Sequence, residues 1–252
     1  MRKLLAITLL FSTLVDAPLA IAELPQGYEV AVQTQNFPPF AMADDGRNFA
    51  REEHIQGASA DVVREMFKRA DIAYSMTLRF PWSRIYQATL ELPNHGLFAT
   101  SMTDERRELF KWVGPIGQYE SVLLSKPGST LKLSSLDEAK SYKVGAYKGS
   151  AVSQRIEAQG LTPVTSFRDQ ENIQKLLSGK IDLWATADPV WRYYAKQEGV
   201  SGLNTALAFK TSNLYLALNK ETPDEVVQRL QAALDEMKTE GYGTCAKHPE
   251  LC

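Results

Sequence analysis

Four segments of the sequence gather residue types that bind small polar molecules. Asn36-Phe37-Pro38-Pro39-Phe40 sets two prolines between aromatic rings. The prolines stiffen an extended loop, so Phe37 and Phe40 are presented at a fixed place, either as a stacking wall for a ligand or as a hydrophobic plug. Ser101-Met102-Thr103-Asp104-Glu105-Arg106-Arg107 reads as a strand end running into a helix start. Free backbone N–H groups beside a guanidinium can seat a carboxylate there, which makes Ser101, Thr103 and Arg106 of this run candidate ligand-binding residues. The same run also reads as a solvated helix start in which Arg106 and Arg107 pair with Asp104 or Glu105. Val144-Gly145-Ala146-Tyr147-Lys148-Gly149-Ser150 is a strand-turn-helix junction: Gly149 permits close backbone approach and Ser150 can cap the helix, but the phosphate-loop spacing is absent. Thr186 and Asp188, before Pro189, stand at another strand-to-helix mouth, where Asp188 serves an ammonium group or caps the helix.

Groupings for catalysis or for a cofactor are lacking. The three histidines stand apart at 54, 95 and 248, no GxSxG elbow occurs, and the two cysteines share no metal-ligand spacing with a histidine. No cofactor and no metal are expected. The 252 residues include 28 basic and 30 acidic side chains, so there is no basic excess to neutralise phosphates, and nucleic-acid partners are disfavoured. A small neutral or zwitterionic molecule fits better.

The amino terminus reads as an export signal. Met1-Arg2-Lys3 supply the positive start, an apolar run follows, and Ala20-Ile21-Ala22 is a small-x-small cleavage site, placing the cut after Ala22 and the mature protein in the periplasm. Asp16 and Pro18 interrupt the run too early for a membrane span. Loss of Arg2, Lys3 and Asp16 leaves 26 basic against 29 acidic residues. In an oxidising compartment Cys245 and Cys252 are expected to form a disulfide whose short loop stabilises by at most about 2.5 kcal/mol, enough to pin a tail.

These groups need a scaffold, and the hydrophobic periods supply one. Short β-like runs at 28–33, 74–80, 97–101 and 120–125 alternate with helical patterns at 58–70 and from Pro81-Trp82. Lys126-Pro127-Gly128-Ser129 is the clearest break. A second series follows: strands at 143–147, 163–166, 181–186 and 214–218, and helices at 150–159, at 169–177 with Ile173, Leu176 and Leu177 inward, and after Asp188-Pro189. Thr222-Pro223-Asp224-Glu225 is a capping box opening a last helix with Val226, Val227, Leu230, Ala233, Leu234 and Met237 on one face, ending near Gly241. Two βα series predict two α/β lobes.

In order, FPPF after the first strand, Gly57-Ala58-Ser59-Ala60-Asp61, Pro81-Trp82 with Arg84, T-x-x-R at 103–106, Phe110 to Ile116, VGAYKGS and GKID resemble a family 3 extracytoplasmic solute-binding protein over nearly the whole mature chain. The resemblance implies a type II periplasmic-binding-protein clamp, each lobe a mixed sheet flanked by helices. It divides the mature chain into one lobe of residues 23–125 plus 213–252 and a second of 126–212. It further implies a monomer that closes over a polar amino acid or related carboxylate by a hinge motion and hands it to the permease of an ABC importer. By the same resemblance Arg106 holds the ligand carboxylate with help from Ser101, Gly149 and Ser150, and Phe37 and Trp82 flank the ligand side chain. The chain departs from the family where amino-acid binders carry an acid: Ala187 stands five residues after Asp182, with Asp188 one step later. Tyr119, Trp184 and Trp191 add aromatic surface near the expected cleft or in the core. Two other readings stay open, a dehydratase on the same clamp with Asp188 as general acid, and a sensory module presenting solute to a receptor.

Overall fold

The computed structural model describes residues 24–242; the expected export signal and the Cys245–Cys252 pair lie outside the described residues. The chain opens with β1 (Glu29–Thr34), two small strands β2 (Met42–Ala43) and β3 (Phe49–Arg51), then β4 (Ile55–Gln56), α1 (Ala58–Arg69), β5 (Ala73–Arg79), α2 (Trp82–Glu91) and β6 (His95–Ser101). A single turn, α3 (Asp104–Arg107), leads into the long strand β7 (Lys111–Ser125). The second series is β8 (Val144–Tyr147), α4 (Ala151–Ala158), β9 (Val164–Ser166), α5 (Glu171–Leu177), β10 (Leu183–Asp188) and α6 (Val190–Gln197). The long strand β11 (Asn204–Leu218) and α7 (Asp224–Thr239) complete it.

Nine strands form one mixed sheet in the order β3-β5-β1-β6-β11-β7-β10-β8-β9. β5, β1 and β6 run parallel at one end, and β10, β8 and β9 run parallel at the other. Between them β7 and β11, each 15 residues long, pair antiparallel along their length. β6 pairs with the Leu214 to Leu218 part of β11, and β10 pairs with the Glu120 to Leu124 part of β7, so each end of this ribbon belongs to a different parallel set. The result is a two-lobed clamp with a large mixed sheet flanked by helices.

Burial follows the helical periods. Val62, Val63, Met66 and Phe67 of α1 face inward, as do Ile173 and Leu176 of α5, while Leu177 is exposed. On α7 the stripe of Val226, Leu230, Ala233, Leu234 and Met237 is buried and Val227 half-buried, and the helix packs on α1 and β7. Each large apolar side chain so buried is worth roughly 1.5–3 kcal/mol, which draws the carboxyl-terminal helix back to the first lobe.

Several local expectations are corrected. Asp188 does not cap α6: it is the last residue of β10, and Pro189 occupies the cap. The capping box at Thr222 does not form, because Pro223 is the cap residue and no side-chain cap bond is made. The backbone carbonyl of Thr222 instead accepts from Lys111 Nζ at 2.7 Å. β7 and β11 begin well before their apolar ends at 120 and 214, since the earlier residues gain strand geometry from pairing with each other rather than from their own alternation.

Candidate functional site

Arg106 is the third residue of α3 and is buried between the lobes. One terminal nitrogen donates to Thr100 Oγ1 at 3.2 Å and the other to Gly149 O at 3.1 Å and Gln154 Oε1 at 2.8 Å. The guanidinium also lies 5.3 Å from the ring centre of Trp82 and 5.5 Å from that of Tyr86. Among the described residues it has no carboxylate partner, whereas its neighbour Arg107 pairs with Asp104 at 3.3 Å. Burial pulls its pKa down, as desolvation disfavours a charge without a counter-ion. Its Nε is buried and makes no hydrogen bond. A carboxylate entering here would meet a dehydrated cation, the condition under which charge-assisted bidentate bonds are strongest.

Around this cation lies a chamber lined by Phe37, Trp82, Ser101, Tyr119, Tyr147 and Ser150, among others, with a volume of about 50 Å³. Ser101 Oγ and Tyr119 Oη are hydrogen-bonded at 2.9 Å. Gly149 holds φ 72°, a conformation open to glycine, and its carbonyl meets Arg106 from the second lobe. Ser150 caps α4 by accepting from Ser153 N at 3.0 Å. Ala99 on the chamber wall carries φ 56° without being glycine, a strained conformation of the kind that clusters at binding sites.

A second chamber of about 30 Å³ sits beside the first and shares Gln35, Phe37 and Tyr147 with it. The partition is a hydrogen bond from Tyr147 Oη to Gln35 Oε1 at 2.5 Å, joining the two lobes. Asp169, in the loop before α5, lines the second chamber. Its Oδ1 accepts from Trp184 Nε1 at 2.8 Å and its Oδ2 from Thr186 Oγ1 at 2.5 Å. Desolvation raises its carboxyl to about 6, against the lowering pull of those donors and of Asn172.

Of the residues singled out from sequence, Phe37, Trp82, Ser101, Arg106 and Ser150 meet around the first chamber, with Gly149 contributing its carbonyl to Arg106. Phe40 lines neither chamber: it has no exposed surface, stacks beneath Phe37 at 5.5 Å, and turns its carbonyl to the start of α1, accepting from Ser59 N at 2.9 Å. Thr103 is buried, and its carbonyl starts α3 by accepting from Arg107 N at 2.9 Å. Thr186 serves Asp169. Asp188 points elsewhere, held by Arg192 through two contacts of 2.7 Å. Trp184 is core, and Trp191 lies beneath Arg192 at 4.5 Å. The sequence reading missed Gln154, Gln35 and Asp169, for their spacing belongs to no motif and only the tertiary fold brings residues so far apart in sequence to the two adjoining chambers.

No curated protein matches the chain. Among solved structures, an ancestral arginine-binding protein bound to arginine superposes with a TM-score of 0.72 at 21% identity, covering 88% of this chain and 97% of that one. The arginine-, lysine-, histidine-binding protein ArtJ of Geobacillus stearothermophilus gives 0.70 at 21% identity, with 84% and 90% covered. A histidine kinase sensor domain with similarity to periplasmic binding proteins gives 0.77 at 14%, with 88% and 95% covered. These likenesses establish the clamp fold. The family model for bacterial extracellular solute-binding proteins, family 3, matches residues 29–246, so the chain belongs to that family of solute-binding proteins.

Proposed function

We propose that this chain captures a small carboxylated solute, an amino acid or close relative, and delivers it from the periplasm to an ABC importer. The observation that carries the reading is Arg106, a buried guanidinium between the lobes with donors to both of them and no acidic partner among the described residues. A cation buried without a counter-charge is costly to keep, and an anionic ligand repays that cost. The free backbone N–H groups opening α4 and the Ser101 hydroxyl add donors, and Trp82 and Phe37 give an apolar wall. The ancestral arginine-binding protein and ArtJ, which share the clamp fold, bind amino acids, ligands of the same chemical class.

Neither chamber admits an amino acid as it stands, since ligand sites normally enclose several hundred Å³. Binding therefore requires the lobes to part and close again. In this reading residues 23–125 plus 213–252 move against 126–212, with β7 and β11 as the hinge.

The test is calorimetry on residues 23–252. An amino or carboxylic acid should bind, and Arg106→Ala should weaken it by about 100-fold or more while the melting curve stays cooperative. Unchanged affinity would remove Arg106 from the site. The sensory reading is kept by the fold of the histidine kinase domain; capture of the loaded protein by an importer permease in reconstituted vesicles separates the two. The dehydratase reading loses its acid, because Asp188 is committed to Arg192 and lines neither chamber.

A further inference from the structure

We infer that Asp169, not Asp188, is the receptor for the positively charged group of the solute, so that the cleft is built for a zwitterion with its carboxylate at Arg106 and its cationic nitrogen at Asp169. This rests on the proposed function and names the second half of the same site.

Both carboxylate oxygens of Asp169 are aimed by donors from β10, Trp184 Nε1 and Thr186 Oγ1. Neither donor carries a charge, so the carboxylate is oriented without being neutralised. A carboxylate offers about four lone-pair sites, so acceptor capacity remains beyond the neutral donors Trp184, Thr186 and Asn172. The cations near it are engaged elsewhere: Arg168 with Glu171 at 3.4 Å and Arg79 over the ring of Phe49 at 5.6 Å, although both line the same chamber. The other ionisable neighbours, Tyr147 and Tyr194, are themselves pushed upward by burial and supply no positive charge. A solute cation is thus the missing partner of an acid held in a drying cleft.

The position also answers the departure at residue 187. With Ala187 buried in β10 and Asp188 turned to Arg192, that strand end offers no acid to the cleft. Thr186, one residue earlier, holds the acid of the preceding loop instead. The two poles lie in adjoining chambers separated by the Tyr147–Gln35 hydrogen bond, so a solute spanning both must displace or straddle that contact.

The experiment is a competition titration of residues 23–252 with three pairs, each an amine-bearing acid and its deaminated counterpart: L-glutamine and glutaramate, L-phenylalanine and hydrocinnamate, γ-aminobutyrate and butyrate. The unaltered protein should prefer the amine-bearing member of at least one pair. Asp169→Asn should cut that member's affinity about 10–100-fold and leave its counterpart within about 3-fold, while Asp188→Asn changes neither. On the unaltered protein at pH 5.5, calorimetry in two buffers of different ionisation enthalpy should register proton release with the amine-bearing acid and none with its counterpart. If the protein binds the acids but Asp169→Asn keeps the wild-type preference, Asp169 is not the receptor and the Arg106 reading stands. If none of the six compounds binds, the solute class itself is wrong and both readings fall.

Discussion

The opposite charges in the cleft are perturbed by one cause, burial, and so respond to pH in opposite ways. For Asp169 the folded protein favours the protonated carboxyl, raised to about 6 from 3.8. The contribution to stability is fully present below the unfolded value and is lost as pH rises from about 4 through 6. Asp169→Asn removes this dependence, so the variant should melt near the wild type at pH 4 and above it at pH 8, by about 1–3 kcal/mol of stability. Thermal scans of both proteins across that range check it; a variant less stable at pH 8 would mean that the bonds to Trp184 and Thr186 outweigh desolvation. Solute affinity should run the other way, weakening as pH falls below about 6, since a bound cation needs the ionised form.

At the scale of elements, the loop after β1 and the start of α1 are one unit. Pro39 O accepts from Ala58 N, and Phe40 O from Ser59 N and Ala60 N, so the loop's carbonyls occupy the donors that open the helix. Phe37 is thereby fixed at the cleft by a contact made behind it. Gly57 is the condition for this approach: its φ is 123°, and a Cβ there would stand 2.5 Å from Phe40 O. Gly57→Ala should therefore destabilise the protein by about 2–4 kcal/mol, read as a lower denaturant midpoint, and should weaken solute binding through Phe37. At the opposite wall, Ser150→Ala removes the cap of α4 and should cost about 1 kcal/mol.

At the scale of the molecule, hydrogen bonds across the cleft join the two lobes, and under the proposed hinge motion they would have to break for it to open. Arg106 to Gly149 and Gln154, and Tyr147 to Gln35, tie one lobe to the other across the cleft. Ligand can shift the balance of open and closed forms only by its differential contacts with them. Tyr147→Phe keeps the ring and deletes the bond to Gln35, so the unliganded protein should populate the open form more. Small-angle scattering would read this as a larger radius of gyration that returns to the wild-type value on saturation with solute. An unchanged radius in both states would assign closure to other contacts.

What the sequence by itself determined was local. The apolar periods of α1 and α7, the glycine turn before Ser150 and the cap that Ser150 makes are fixed by side chains within a few residues of one another, and they stand where the periods place them. Arg106 was legible as a cation at the end of a strand, beside Arg107, but not as the one of the two that lacks a carboxylate. That distinction is made by the second lobe, which supplies Gly149 and Gln154 from more than 40 residues away, while Arg107 takes Asp104 from its own turn. Asp188 illustrates the reverse: its place beside a proline suggested a cap or a ligand group, and the helix register set Arg192 one turn on to claim it. Asp169 carries no local signal at all. Its burial and its two hydrogen bonds depend on the pairing of β10 with β7 and β8, which sets Trp184 and Thr186 against it. Local periodicity fixes the elements because neighbours in sequence are always near one another; burial of a charge depends on which distant surfaces meet, and only the tertiary structure decides that.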